Sequence, residues 1–140
     1  MPQLENKLKW CLNKGKEGKK HRGLKKVQPD VIKAQRHIYK ATHNLNAMRY
    51  MINGNYSDWA VSAAFYSMYH CLLAILAKHG YESRNQECTF AAIESLIKDK
   101  KIDLDVKWLK KIADINDGVD SDTVISLREE FQYGTEIKVD

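Results

Sequence analysis

SDWAVSAAFYSMYHCLLAILAKHG, residues 57–80, has no charged side chain between Asp58 and Lys78, yet it carries Ser62, Tyr66, Ser67, Tyr69 and His70 within the run. Ser57 is expected as the N-cap, Asp58 suits the positive end of a helix dipole, and Gly80 suits the position just past the last turn. At 100° per residue the helix has three apolar faces. Val61, Phe65, Met68, Leu72 and Ile75 form a bulky one, and Ala60, Ala64, Ser67, Cys71 and Ala74 form one of small residues. Trp59, Tyr66, His70, Leu73 and Ala77 form the third. A helix apolar all round is surrounded by protein or by lipid. Lipid would leave the hydroxyls and the imidazole without water, and no second span is present in the sequence to partner it. The stretch is therefore read as the central helix of a bundle, with no membrane involved.

The neighbouring segments fit that reading. Pro29 and Asp30 open a helix whose apolar positions Val31, Ala34, Ile38, Ala41, Leu45, Met48 and Ile52 recur at steps of three and four, until Asn53-Gly54-Asn55 ends it. Ser83 and Gln86 have capping-box spacing for the next helix, with Phe90, Ile93, Leu96 and Ile97 inward. Val106, Leu109, Ile112 and Ala113 mark another, broken at Asp117-Gly118. A last one, capped by Ser121 or Asp122, carries Val124, Leu127 and Phe131 up to Gly134. Leu4, Leu8, Cys11 and Leu12 suggest a short helix at the start. No convincing strand alternation appears, and short connections favour an all-α, up-and-down bundle of four to five helices.

The chain has 140 residues, 44% hydrophobic and 29% charged, which is one ordinary globular domain's worth. Its net charge of +5 is concentrated. KGKEGKKHRGLKK, residues 14–26, carries seven Lys and Arg against one Glu. Punctuated by Gly15, Gly18 and Gly23, it reads as a mobile arm or loop, and Lys19, Lys20, Arg22, Lys25 and Lys26 are candidate phosphate contacts. The organisation expected is a short helix and basic arm over residues 1–27, the bundle over 28–134 and a tail over 135–140. Cys11, Cys71 and Cys88 are odd in number without a CxxC pair. Cys71 and Cys88 lie in apolar stretches, so buried free thiols in a reducing cytoplasm are expected.

Motifs of familiar chemistry are missing: there is no GxGxxG, P-loop, HExxH or GxSxG. His37 and His43, six apart, point about 120° from a shared face, so no metal or cofactor is expected. His70, one turn from Tyr66, is read first as a core histidine, and Trp59 and Tyr66 as packing residues. In LREEFQYG, residues 127–134, Arg128 precedes Tyr133 by five positions near the end of the last helix.

The pattern resembles the HEPN domain family over roughly residues 30–134. The resemblance rests on GNYSDWAVSAAFY (residues 54–66), the Gly80 stop, and Leu127-Arg128 with an aromatic at Tyr133. It implies a bundle that forms homodimers and associates with nucleotide or RNA, with Arg128 and Tyr133 as candidate binding residues. The family's metal-independent RNA cleavage needs an Arg and, four to six residues on, a His for proton transfer. Gln132, Tyr133, Gly134 and Thr135 stand where that His would fall, and a tyrosine with a pKa near 10 is a poor base at pH 7. The resemblance thus implies a non-catalytic partner subunit, one possibility being a minimal nucleotidyltransferase as its mate in a toxin–antitoxin-type pair. The alternative is a metal-independent endoribonuclease with a divergent site, in which His70 or another histidine replaces the missing one.

Overall fold

Asp30 and Gly80 mark the base of the helical hairpin that organises the chain. The computed structural model describes residues 2–120. The expected last helix, with Arg128 and Tyr133, lies outside the described residues. Asp30 caps α2 (Val31–Asn53) by accepting the Lys33 backbone N–H at 2.9 Å. After Asn55, at φ 66°, the chain turns into α3 (Ser57–Lys78). Asp30 meets Ala77, His37 meets His70, and Ala41 meets Ser67. As one number rises the other falls, so α2 and α3 run antiparallel. The small-residue face of α3 makes this close approach possible: the Ser67 hydroxyl, itself buried, donates to the Ala41 carbonyl at 2.8 Å.

Gly80 follows the His79 cap of α3; its φ is 83°, and a β-carbon there would lie 2.7 Å from the Val27 carbonyl oxygen. Only glycine suits both conditions. The chain continues into β2 (Tyr81–Ser83), which pairs antiparallel with β1 (Leu24–Lys26) in the register Leu24–Ser83, Lys25–Glu82, Lys26–Tyr81. α1 (Pro2–Lys14) lies against β1 and α4, α4 (Gln86–Lys98) follows β2, and α5 (Val106–Asp120) packs on α3 and α4. The core gathers Leu24, Leu72, Leu76, Ile93, Leu96 and Leu109 around Cys11 and Cys88. Each large aliphatic side chain buried there contributes about 1.5–3 kcal/mol.

The all-α bundle expected from the sequence is present, with five helices among the described residues, and several local readings are corrected. Residues 14–26 are not a free arm. They form a 3-10 turn, Gly15–Glu17, then a loop and β1, with Gly15, His21, Gly23 and Leu24 buried. A β-carbon at Gly15 would fall on the Leu24 carbonyl oxygen, so that glycine permits close packing where a flexible link was expected. Cys88 is not a free thiol: it is bonded to Cys11, with the two Cα atoms 5.7 Å apart. Cys71 is free but exposed.

The remaining differences concern helix ends and faces. Tyr56, not Ser57, is the N-cap of α3, and it makes no side-chain cap bond. Ser57 is buried with its hydroxyl unpartnered among the described residues. Asn85 caps α4 by accepting the Cys88 N–H at 3.1 Å, while Ser83 belongs to β2 and donates to the Asn85 carbonyl. α5 continues through Asp117-Gly118 to Asp120. On α2 the stripe is buried only at Ala41, and Val31 and Ile38 are 60% and 49% exposed, because α3 is its main packing partner among the described elements. Trp59 and Tyr66 are likewise exposed and do not serve as packing residues.

The crosslink closes a loop 77 residues long. Chain-entropy arguments put such a bond at about 2–4 kcal/mol, or roughly 5–15 °C in melting temperature for a domain of this size. A reductant is expected to lower the melting temperature of the unmodified protein by that amount. Cys88→Ser should melt at the reduced value in either condition, and Cys71→Ser should behave as the unmodified protein does. Differential scanning calorimetry with and without reductant checks all three.

Candidate functional site

Glu82 lies in the middle of β2, and its carboxylate collects three basic side chains from three different parts of the chain. Its Oε1 accepts from His21 Nε2 at 2.9 Å and forms an ion pair with Arg84 Nε at 3.2 Å, and Oε2 accepts from Lys33 Nζ at 3.4 Å. His21 comes from the basic segment, Lys33 from the first turn of α2, and Arg84 from the residue after β2. The His21 ring is buried, and the Gly23 backbone N–H donates to its Nδ1 at 3.2 Å. Nδ1 is therefore an acceptor and Nε2 carries the proton donated to Glu82. Burial pushes the Glu82 carboxyl up. The His21 hydrogen bond, the Lys33 ammonium and the Arg84 guanidinium outweigh that push and hold it below the ordinary carboxylate range.

One turn further along α2 a second cluster forms. His37 and His70 face each other across α2 and α3, with their Nδ1 atoms 3.1 Å apart and ring centroids 5.3 Å apart. At that distance one Nδ1–H donates to the lone pair of the other, and two protons in the gap would repel. Burial lowers the His37 pKa, with His70 and then Lys33 adding to the effect. Burial also lowers that of His70, with Lys40 adding. Both rings thus favour the neutral form. His70, read from the sequence as a core histidine, is half-buried and takes an imidazole partner 33 positions away.

The candidates of the basic segment are exposed in and around β1, while Arg128 and Tyr133 lie outside the described residues. Lys19, Lys20 and Arg22 are exposed in the loop before β1, and Lys25 and Lys26 are exposed on β1 itself. Lys25 pairs with Glu82 in the ribbon register, so the two side chains share a face. Asn85 Nδ2 donates to the Arg22 carbonyl at 3.4 Å, which anchors the loop to the start of α4. The structure thus brings the basic segment to the same end of the hairpin as Lys33, His37 and Arg84. Sequence reasoning missed His21, Lys33 and Glu82 as site residues. No local spacing links them, since the chain brings them together only through the β1–β2 ribbon. Among the described residues, no group of three or more His, Cys, Asp or Glu side chains could hold a metal ion.

A family model described as the HEPN domain matches residues 34–136, well over half of the chain. No curated protein and no solved structure matches it.

The two histidines fix the sign of a pH effect. Their folded pKa values lie below the unfolded value of about 6.5, so the unfolded chain binds protons first. Stability is therefore full above about pH 6.5 and falls as the pH drops from there through the lowered folded values. The Glu82 contribution is lost only at lower pH, as its depressed pKa is crossed. Denaturant midpoints measured from pH 8 to 5 should decline for the unmodified protein, and His70→Asn should flatten that decline.

Proposed function

The chain belongs to the HEPN family, and on that footing we propose that it is a nucleotide- or RNA-binding subunit lacking the family's usual nuclease chemistry. The observation that carries the reading is the basic segment. Its Lys19, Lys20, Arg22, Lys25 and Lys26 are all exposed, in the loop before β1 and on β1 itself, a distribution that supports contact with a phosphate backbone. Neutralising phosphates releases condensed counterions, which gives affinity without sequence preference. Arg128 supplies a further phosphate contact and Tyr133 a hydrogen bond. Without a histidine between residues 129 and 135, the expected proton-transfer partner is lacking.

The reading extends to a homodimer, in keeping with the exposed aromatic surface of Tyr39, Tyr50, Tyr56, Trp59 and Tyr66. It also extends to a cytoplasmic minimal nucleotidyltransferase as partner in a toxin–antitoxin-type pair, a role that rests on the family resemblance alone. One observation favours a second reading, the metal-independent endoribonuclease: the His37–His70 pair places two imidazoles in reach of one another on the hairpin.

Three measurements test these readings. Replacing Lys19, Lys20, Arg22, Lys25 and Lys26 with Gln should weaken RNA binding and flatten its salt dependence by about 0.7 of a slope unit per lost single-strand phosphate contact. An unchanged slope would leave the segment without a role in binding. Light scattering should give a dimer mass at micromolar concentration. In chelator the protein should cut RNA no faster than a blank, and Tyr133→His, which restores the family spacing, should be the first variant to show activity. Cleavage by the unmodified protein that disappears in His70→Ala would establish the endoribonuclease instead.

A further inference from the structure

Where the first turns of α2, the last turns of α3 and β2 converge, there is a pocket of about 140 Å³ floored by Leu73 and Ala77. Sites that enclose a whole cofactor-sized ligand start at roughly 300 Å³, so this one admits a single compact group and leaves any larger body outside. Its polar walls are Lys33, His37, Tyr81 and Arg84, with Glu82 and Ser83 between them.

The pocket offers unused donors. Glu82 does not present a bare carboxylate, because Oε1 is engaged by His21 and Arg84 and Oε2 by Lys33. Those bonds hold the two cations on the pocket rim. Arg84 approaches Glu82 with Nε as an ion pair, and its two Nη nitrogens make no hydrogen bond among the described residues. A guanidinium presented in this way can fork onto two oxygens of one anion. Lys33 gives one proton to Glu82 and keeps two. The Tyr81 hydroxyl and His37 Nε2 have no partner among the described residues either, while Ser83 is already bonded to Thr89 and the Asn85 carbonyl. Two permanent cations against one carboxylate leave the rim positive. Two cations and a phenol lining a space of this size suit an oxyanion with several acceptor oxygens, and His37 Nε2 joins them as a donor when it carries a proton.

The geometry points to a seat for a terminal phosphate monoester, held by Arg84, Lys33, Tyr81 and His37 at the end of the α2–α3 hairpin. No bond is made or broken there: the pocket binds and orients. Lys25, across from Glu82 on the same face of the ribbon, continues the cationic track away from the pocket. An RNA lying along the basic segment can therefore place its phosphorylated end in the seat. This last step rests on the RNA-binding reading above, whereas the affinity of the pocket for phosphate itself does not.

The test uses the full chain and short RNA oligomers of one sequence ending in a 5′-phosphate, a 3′-phosphate or hydroxyls only, read by fluorescence anisotropy. Inorganic phosphate and a nucleoside monophosphate serve as competitors. One phosphorylated oligomer should bind about tenfold or more tightly than the hydroxyl-ended one, as expected for charged hydrogen bonds. Millimolar inorganic phosphate should erase the difference. Arg84→Gln should bring the preference close to one. Because Arg84→Gln also loosens the Glu82 cluster, Tyr81→Phe, which leaves that cluster intact, should reduce the preference a few-fold on its own. Gln substitutions at Lys19 and Lys20 should weaken all three oligomers equally. If no oligomer binds but inorganic phosphate still shifts the Tyr81 and His37 resonances, and Arg84→Gln abolishes the shift, the seat stands and the RNA-binding reading falls. If the oligomers bind alike and phosphate neither competes nor shifts those resonances, the seat is overturned and the RNA-binding reading is untouched.

Discussion

The hydrogen bond from buried His21 to Glu82 is the contact on which the N-terminal third of the structure depends. An imidazole removed from water costs free energy unless both ring nitrogens find partners. His21 finds them in the Gly23 backbone N–H and the Glu82 carboxylate, and satisfying both fixes the loop before β1 in one conformation. That conformation delivers Leu24 to the core, aligns β1 with β2, and leaves Lys25 and Lys26 on the outside. A segment with six units of net positive charge would otherwise repel itself into an extended coil. Here one carboxylate on β2, one buried leucine and the Cys11–Cys88 bond hold it against the bundle.

What was legible in the sequence follows from how local each signal is. The helix start at Pro29-Asp30, the Asn53-Gly54-Asn55 stop and the left-handed Gly80 depend on a few neighbouring residues; the stop and Gly80 stand as read, while Asp30 proves to be the cap and Pro29 lies before the first turn. The inward positions of α4 also held, with Ile93 and Leu96 buried and Phe90 and Ile97 packed against the core. The ribbon was not legible, because three-residue strands are too short to show a period of two. Pairing between residues 24 and 83 is a tertiary fact. The disulfide was hidden for the same reason: nothing in the spacing of Cys11 and Cys88 signals that α1 crosses the first turn of α4.

The candidate site shows the same division. Lys19, Lys20, Arg22, Lys25 and Lys26 were visible as a charge run, since charge clustering is a property of composition. Their neighbours Lys33, His37, Glu82 and Arg84 were not, because each belongs to a different local pattern. Lys33 lies off the apolar stripe of α2, His37 is a histidine with no ligand spacing, and Arg84 is a single arginine after a three-residue strand. Antiparallel packing of α2 on α3 then set His37 against His70, a meeting that helical periodicity on either strand of the hairpin could not foretell. α3 was rightly read as central, yet its third face is only partly covered. Trp59 and Tyr66 remain exposed while Ala77 is buried, so the apolar wheel overstated how much of the helix is enclosed.

The electrostatics of the two clusters are complementary. Lys33 and Arg84 supply positive charge, and Glu82 orients it. The histidine pair supplies the reverse: rings kept neutral by burial and by the cations around them. An anion placed beside Lys33 and Arg84 changes the balance that lowers the His37 pKa. It offsets the repulsion from Lys33 and favours a proton on the ring. Anion binding and proton uptake at His37 are then linked, each strengthening the other. A proton taken up on Nε2 turns His37 into a donor at that atom, and its Nδ1–H remains available to His70. The pair can accept that charge without losing its mutual hydrogen bond.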